Sequence, residues 1–413
     1  MKCKIKILFF IICLIGCSPD KKNIQDIGAN PDLYIIDIDK AEKVKEIFLS
    51  EICSNMKTII LETNDNVLIG KDGGVQVYKD YIFVLDVSDN AALYAFNREG
   101  TFIRKYGSRG NGPGEYLSID DFTIDAENEI VYLMDDDASQ ILFYEIQTGK
   151  YINKIKLEER AYNCLEIQYN NGKLYTDISY WRTSDAGCML QEIDLLTGKQ
   201  KQCWLDPQKY NMGWNGGIER IGRMEESFFY GRHQETCKYI QYFADTIISI
   251  GKNQIQPYAV VKEKDWITSK DLSKITDDSR NNGGNVLQAI IDKGFSRNIH
   301  SFAEWNDFIS FFYYTKDYDK YFVLYNKKTG KTNVVQFFIN DLGYDKPWLI
   351  NNSVCFDENG VYEIVGMFAI DMYLKRIKEE DDLLKKSLDK YEQLRNLPDD
   401  SNPVLFYYEF KKE

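Results

Sequence analysis

Tyr81-Ile82-Phe83-Val84-Leu85-Asp86 is a run of β-forming residues closed by an aspartate, and it recurs 49 residues later as Ile130-Val131-Tyr132-Leu133-Met134-Asp135. The same offset, without a gap, places Gly100-Thr101-Phe102-Ile103 over Gly149-Lys150-Tyr151-Ile152 and reaches Gly198 once more. Each copy predicts a strand, an Asp-containing turn, a strand, a glycine turn and a further strand. A repeat of roughly 40 to 50 residues that cannot bury both faces of its own sheet is typical of the blades of a β-propeller.

The rest of the chain continues this pattern in weaker copies. One blade is predicted over Phe228–Ile250, another over Phe308–Lys331, and a last one begins at Val354–Val365. With a segment from Lys57 to Tyr78 the count reaches about six. The sequence therefore predicts an all-β fold, a six-bladed β-propeller over residues 46–413.

The final strand is expected to close the ring. A last run of β-forming residues, about 403–410, follows a helical segment and needs a sheet to join. Pairing with an N-terminal strand near Thr58–Leu61 would complete one blade from both chain ends and remove an exposed sheet edge.

Two stretches interrupt the β pattern and predict helices. Between Trp266 and Ser301, short helices are expected at Asp271–Ile275 and Val286–Ile291, within a blade insertion. A second helical insertion is expected near the C-terminus, about 370–398, where one apolar face would carry Ile377, Leu384, Leu388 and Tyr391. We expect this helix to pack on the propeller's flank; the alternative is a partner-binding helix.

The N-terminus predicts export and lipid anchoring. Residues 1–16 place three lysines ahead of the apolar run Ile7–Ile15, which is the layout of a signal peptide. The junction Leu14-Ile15-Gly16-Cys17 resembles the lipobox of bacterial lipoproteins, so Cys17 is the expected lipidation site and the lipid bilayer the expected partner. The alternative is an ordinary signal peptide with an incidental cysteine. Residues 17–45 are predicted to hold the lipidated cysteine and a tether, and the expected address is the cell envelope, at the outer membrane.

Net charge and cysteine content bear on the class of partner and on disulfide formation. Removal of the three leader lysines would bring the net charge from −13 to −16, which argues against nucleic acid as a partner. Six cysteines remain after Cys17, without metal-type spacing, and a chain of this length can build a core without disulfides. We expect buried free thiols; the alternative is three disulfides, whose pairing the sequence leaves open. The six residues are Cys53, Cys164, Cys188, Cys203, Cys237 and Cys355.

Five segments carry a resemblance to a known family: Leu61–Thr63, Phe96–Phe102, Gly107–Tyr116, Phe243–Ile247 and Asn402–Leu405. They resemble the six-bladed β-propeller lipoproteins abundant in Bacteroidetes, which are distantly similar to NHL-repeat propellers. The resemblance covers nearly the whole chain, and Gly107–Tyr116 is its most specific part. It implies a fold and an envelope address, not an activity.

The glycine-rich segment could be mistaken for a phosphate-binding loop. It lacks the Lys-Ser/Thr pair of a P-loop and no helix follows it, so a structural crossover between blades is the better interpretation. The residues expected to build that crossover are Gly107, Gly110, Gly112, Pro113, Gly114 and Glu115.

Few residues point to catalysis or metal binding. The chain has two histidines, His233 and His300, which excludes a three-histidine zinc site, and both are expected to be structural. Asp135-Asp136-Asp137 could offer oxygen ligands to calcium, but a solvated turn is preferred because successive strand side chains point to opposite faces. No cofactor and no metal is expected.

Planar residues in predicted turns and at strand ends form the candidate ligand site. Aromatic faces stack on sugar rings and arginine binds carboxylates, so a set at the propeller's mouth would suit a carbohydrate or acidic ligand; packing between blades is the alternative. The set is Tyr116, Trp181, Arg182, Trp214, Arg232 and His233. The sequence thus favours a non-catalytic binding or scaffold module for a glycan, a peptide or an envelope protein; the alternative is a lyase or hydrolase acting at the axial cleft.

Overall fold

The computed structural model describes residues 25–158, 166–177, 188–206, 228–230, 237–241, 243–282, 286–317, 319–342, 354–357, 359–379 and 393–412. In chain order the strands are β1 Tyr34–Asp37, β2 Glu42–Phe48, β3 Cys53–Ile60, β4 Asp72–Tyr78, β5 Tyr81–Asp86, β6 Ala92–Asn97, β7 Phe102–Tyr106, β8 Ser108–Arg109, β9 Glu115–Tyr116, β10 Asp121–Asp125, β11 Ile130–Asp135, β12 Gln140–Glu145, β13 Tyr151–Lys156, β14 Glu166–Asn170, β15 Lys173–Asp177, β16 Leu190–Ile193, β17 Gln200–Trp204, β18 Phe228–Tyr230, β19 Cys237–Tyr239, β20 Thr246–Ile250, β21 Ile255–Lys262, β22 Arg297–Trp305, β23 Phe308–Tyr314, β24 Lys320–Asn326, β25 Thr332–Ile339, β26 Val354–Phe356, β27 Gly360–Val365 and β28 Val404–Phe410. The helices include α1 Leu49–Ile52, α2 Ser269–Asn282, α3 Val286–Asp292 and α4 Met367–Glu379.

Six antiparallel sheets form the blades of a propeller, as predicted. Blades 1 to 5 are the consecutive four-strand units β4–β7, β10–β13, β14–β17, β18–β21 and β22–β25, and blade 6 has the order β26-β27-β28-β3. The first strands of neighbouring blades contact each other, so they surround the axis, whereas the fourth strands lie outermost.

The two ends of the chain meet in blade 6. β28 pairs antiparallel with β3, with Val404 opposite Ile60 and Phe406 opposite Thr58. The predicted ring closure by the last strand is therefore confirmed. The N-terminal strand completes the last blade as its fourth strand, and blade 1 begins only at β4.

The segment before β3 forms an outer girdle. β1 adds parallel to the outermost strand of blade 4 and β2 to that of blade 5. Further upstream, the Gln25 amide donates to the Cys203 carbonyl at the edge of blade 3 (2.9 Å). Outer strands leave one row of backbone groups unpaired, and the girdle satisfies part of that row. The tether predicted over residues 17–45 is therefore too long, because residues 34–37 and 42–45 belong to the propeller.

The repeated aspartate explains the 49-residue pattern. Asp86 and Asp135 both end the second strand of a blade and are fully buried. The Asp86 carboxylate accepts hydrogen bonds from the amides of Gly70 and Lys71, and the Asp135 carboxylate accepts from those of Leu117 and Ser118. Each aspartate thus fixes the link that enters its own blade. For Asp135 the expected solvated turn was wrong, because burial with these backbone partners outweighs exposure.

The repeated glycines dock one blade on the next. Gly198 lies in the turn between the third and fourth strands of blade 3 at φ +71°, and a Cβ there would come within 1.9 Å of the Lys156 carbonyl oxygen of blade 2. Gly100 packs in the same way on the Ile60 carbonyl oxygen of blade 6 (2.2 Å). Only glycine combines this positive φ with so close an approach of backbone to backbone.

Both helical insertions occur, at shifted positions. α2 and α3 lie in the link between blades 4 and 5, not inside a blade, and that link ends where β22 begins at Arg297. α4 starts at Met367, earlier than expected, and buries Ile370 against the blade 6 core. Leu384, Leu388 and Tyr391 lie outside the described residues.

The crossover from blade 1 to blade 2 contains the glycine-rich segment. There β8 pairs parallel with β9, and the Glu115 carboxylate accepts a hydrogen bond from the Gly112 amide (2.7 Å). The Tyr144 hydroxyl donates to the Gly114 carbonyl (2.9 Å), which fastens the crossover to blade 2.

Candidate functional site

One face of the propeller carries the links between blades. In every blade the first strand begins, and the second strand ends, at this crossover face, so blade-to-blade links and second-to-third-strand turns meet there. Ligand sites occur preferentially where such connections converge on a concave surface.

The larger described cavity on this face, here called the crossover cavity, has a volume of about 680 Å³. This volume lies within the range of about 300 to 1,000 Å³ typical of small-ligand sites. It opens between the end of blade 3, the 243–245 turn of blade 4 and the link to blade 5. The residues that line it are Asp39, Leu205, Gln241, Phe243, Ala244, Asp245, Thr246, Ile248, Val260, Val261, Lys262, Glu263, Lys264, Trp266, Ile267, Thr268 and Leu272.

Two neighbouring segments hold Phe243, the first residue of the 243–245 turn, in an unusual conformation. Phe243 has a positive φ of 62°, which is rare for a bulky side chain and marks local strain. Its amide donates to Asn298 Oδ1 (3.1 Å), and its carbonyl accepts from Trp266 Nε1 (3.1 Å). The turn is therefore clamped between blade 5 and the insertion, and it presents Phe243, Ala244 and Asp245 to the cavity.

A buried polar chain orients Gln241. The Tyr239 hydroxyl donates to Asp177 Oδ1 (2.8 Å), and Gln241 Nε2 donates to the same oxygen (3.0 Å) and to the Tyr239 hydroxyl. Since both donor contacts fix the amide nitrogen, the other amide atom, Oε1, is an acceptor facing elsewhere. Gln241 is 5 % exposed, and its Oε1 is buried without a hydrogen-bond partner.

Glu263 supplies a second buried acceptor. Its Oε2 also has no hydrogen-bond partner. Burial raises the pKa of Glu263, a hydrogen bond with Ser296 opposes the shift, and the carboxylates of Asp265 and Asp39 add to it. Ser296 is itself tied to the insertion, because its amide donates to the Asp265 carbonyl (2.9 Å). The carboxyl group is thus held in place by both ends of the insertion.

The walls of the cavity are mostly apolar. Phe243, Trp266, Ile267 and Leu272 are all buried, and the Trp266 ring stacks on Tyr313 with 6.1 Å between centroids. Five residues of the lining are exposed, and four of them are charged: these are Asp39, Asp245, Lys262 and Lys264, and the fifth is the uncharged Thr268. The cavity therefore combines an apolar wall, two buried unpaired acceptors and a charged rim.

A family model described as "Domain of unknown function (DUF4934)" matches residues 33–409. The chain belongs to this family. The match begins just before β1, so the DUF4934 unit includes the girdle, the six blades and the crossover cavity. No curated protein matches the sequence.

Solved structures similar to this DUF4934 chain include a putative exported protein from Bacteroides fragilis NCTC 9343. It is 18% identical with a TM-score of 0.66, over 92% of this chain and 100% of that one. At this identity the similarity shows the fold alone, and with the family match it supports the predicted propeller family. A member of the DUF4221 family from Bacteroides vulgatus ATCC 8482 is 12% identical over 87% of this chain and 97% of that one; its TM-score of 0.45 is too low to carry an argument.

The predicted ligand-binding set is not assembled within the described part of the DUF4934 chain. Trp181, Arg182, Trp214, Arg232 and His233 lie outside the described residues. Tyr116 is fully buried, and its hydroxyl donates to the Ala91 carbonyl (3.2 Å). Tyr116 therefore packs between blades and leaves the recognition set, because its ring lies within the apolar core of blades 1 and 2 and its hydroxyl is already paired.

The structure gives one observation on metal ligands and one on histidine. Among the described residues, no three His, Cys, Asp or Glu side chains are grouped so that they could hold a metal ion. His300 is buried and stacks between Phe312 and Tyr314, and burial lowers its pKa well below the ordinary value. A neutral imidazole stacked between two aromatic rings indicates a structural role for His300.

Sequence reasoning missed the residues that build the crossover cavity. Phe243 to Thr246, within a segment that carries part of the family resemblance, line the cavity. The available signal was the unusually long link that follows the same blade, from Lys262 to Arg297. Gln241 and Glu263 gave no signal of their own, because nothing in the sequence distinguishes them from exposed polar residues.

Proposed function

We propose that this chain is an extracytoplasmic binding module that takes a ligand into the crossover cavity without converting it. The observation that carries the proposal is the presence of two buried, unpaired acceptor atoms, Gln241 Oε1 and Glu263 Oε2, on two residues that line one mostly apolar cavity. Buried polar atoms without partners are costly, of the order of 1 to 3 kcal/mol each, so their persistence favours a partner supplied from outside.

The strained turn adds a second line of support. A positive φ at Phe243 costs about 1 to 3 kcal/mol, and such strain concentrates at ligand clamps and active sites. Here the strained residue is the one that places its own side chain and that of Ala244 on the cavity wall.

The address is part of the same proposal. The leader and the Leu14–Cys17 junction support export and acylation of Cys17, and the similar Bacteroides fragilis structure carries the description "putative exported protein". No helix within the described residues is long and apolar enough to cross a membrane. The proposed ligand is a glycan, a peptide or a segment of an envelope protein, bound at the outer membrane.

The test is to fill the cavity. Ala244 is partly exposed on its wall, so Ala244→Phe should occupy ligand space with little effect on the blade core. The matched control is Ala126→Phe, at an exposed turn on the opposite face. Soluble protein is applied to glycan and peptide arrays. The proposal expects at least one class of ligand whose binding falls tenfold or more in Ala244→Phe and is unchanged in Ala126→Phe.

Two results would contradict the proposal. Binding that survives Ala244→Phe would place the site elsewhere. Turnover of a bound glycan or peptide, abolished by Glu263→Gln, would show an enzyme in place of a binding module.

A further inference from the structure

The chemistry of the crossover cavity selects among the ligand classes, and this step rests on the proposed function. Both unpaired buried atoms of its lining are acceptors, so the complementary ligand group is a hydrogen-bond donor. One of the two acceptors belongs to a carboxyl group in an apolar wall. A buried carboxylate is stabilised most by a partner that carries a positive charge as well as a donor.

The charged groups around Glu263 also favour a positively charged ligand group. The charged groups that act on its carboxyl are the acidic Asp265 and Asp39 and, opposing them, the single ammonium group of Lys316. Asp265 also pairs with Lys316 (3.2 Å). Lys262 and Lys264 are exposed at the rim, and Lys262 acts on Asp37, away from the Glu263 carboxyl. The inner end of the cavity is therefore negative, although the rim carries both signs.

The apolar wall of the cavity suits the aliphatic stem of a ligand side chain. Ile267, Leu272 and Trp266 line the same cavity as Glu263. Lysine and arginine bury their methylene stems on apolar surface while their charged heads reach polar groups, and a cation is also attracted to the face of an indole ring. A neutral sugar would use the aromatic wall but would leave the negative end without a charge partner.

We propose that the crossover cavity binds a basic peptide segment by taking in one lysine or arginine side chain, whose cationic head meets Glu263 and Gln241. The volume of about 680 Å³ leaves room for the residues that flank that side chain. Ala244 and Thr246, on the wall formed by blade 4, are then positioned beside the peptide backbone.

The proposal is tested with blocked tripeptides and the full-length protein in detergent. Acetyl-Gly-Lys-Gly-amide is titrated by calorimetry against its Nε-acetylated form, its norleucine analogue and N-acetylglucosamine. The lysine peptide should bind at pH 7, and the two neutral peptides should bind at least tenfold more weakly. Binding of the lysine peptide should weaken as the pH falls and Glu263 takes up a proton.

The variants separate charge recognition from folding. Glu263→Gln should weaken the lysine peptide at least tenfold, whereas Lys252→Gln, which removes one charge from an exposed turn outside the cavity, should leave binding unchanged. If Glu263→Gln lowers the melting temperature, Asp39→Asn serves instead, since Asp39 is exposed and its removal should cost a few-fold in affinity.

Equal binding of the acetylated and unmodified peptides, or full binding by Glu263→Gln, would overturn the basic-peptide proposal. Binding of N-acetylglucosamine that is lost in Ala244→Phe but kept in Glu263→Gln would overturn it too, while the cavity would stand as the ligand site. If the array ligands bind the Ala244→Phe variant with the same affinity as the wild type, the proposed function itself is wrong.

Discussion

The turn glycine at position 198 offers a matched test of how the blades dock. Gly198 and Gly330 occupy the same Thr-Gly-Lys turn of blades 3 and 5, with φ of 71° and 70°. A Cβ at Gly198 would meet the Lys156 carbonyl oxygen at 1.9 Å, whereas a Cβ at Gly330 has nothing within 4 Å. Blade 4 precedes the blade of Gly330, and its Lys262 carbonyl corresponds to the Lys156 carbonyl of blade 2. That Lys262 carbonyl accepts a hydrogen bond from the Ile38 amide of the girdle (2.8 Å) and does not contact the turn.

The expected magnitudes follow from these contacts. Alanine in the left-handed region costs about 1 to 2 kcal/mol at either site, partly offset by about 0.4 to 1 kcal/mol from the lower entropy of the unfolded chain. At position 198 the blades must also separate by more than 1 Å, which breaks the hydrogen bond from the Glu158 amide to the Gly198 carbonyl and the packing around it. These terms add roughly 2 to 3 kcal/mol. Gly198→Ala should therefore lose about 3 to 4 kcal/mol, and Gly330→Ala about 1 kcal/mol or less.

The assay is urea unfolding of both variants and the wild type, followed by far-ultraviolet circular dichroism at equal protein concentration. The difference in unfolding free energy between the two alanine variants is the quantity of interest. Equal losses would refute the docking argument, because the two sites share the turn and the backbone strain and differ only in the neighbouring blade.

Three further predictions follow from other parts of the chain. Deleting residues from 402 onward should remove the cooperative unfolding transition, because β28 carries the pairing between β27 and β3; an unchanged melting temperature would contradict ring closure. The Glu304 carboxylate is buried among Lys238, Lys327 and the Tyr258 hydroxyl, and although burial opposes ionisation, the two lysines hold its pKa below the ordinary 4.5. The stabilisation by the Glu304 carboxylate is therefore present above the pKa that this group has in the unfolded chain, and it is lost as the pH falls through the lower pKa of the folded state. Glu304→Gln should thus reduce the unfolding free energy by about 3 kcal/mol at pH 7 and by less below pH 4. A loss in urea unfolding that does not change with pH would contradict this. Cys17→Ser should release the protein from the membrane fraction or stall its precursor, and a wild type that takes up no fatty-acid analogue in metabolic labelling would exclude acylation.

The fold was predictable from sequence because its determinants repeat. Asp86 with Asp135, and Gly100 with Gly149 and Gly198, hold equivalent backbone positions, so the same residue type returns at a constant spacing. The girdle was not predictable in this way. Strands β1 and β2 each occur once and pair parallel with strands more than 200 residues away, a register that no local pattern encodes.

The cavity was beyond sequence reasoning for a related reason. Its character depends on Phe243 being held at positive φ by Asn298 and Trp266, two residues that come from other elements. The unpaired state of Gln241 Oε1 depends on Asp177, 64 residues earlier in the chain, which holds the amide nitrogen. The burial of the cysteines was easier to predict: Cys53, Cys188, Cys203 and Cys237 are buried, Cys355 is half-buried, and Cys164 lies outside the described residues.

Hydrogen exchange with and without bound ligand tests the crossover cavity most directly. The protein is incubated with the tightest array ligand and its amide exchange is followed by mass spectrometry. Slower exchange is expected in peptides that cover residues 243–248 and 260–272, with no change at the opposite-face turns around residues 126–129 and 171–172. Protection confined to the opposite face, or absent from both cavity segments, would contradict the assignment of the crossover cavity as the ligand site.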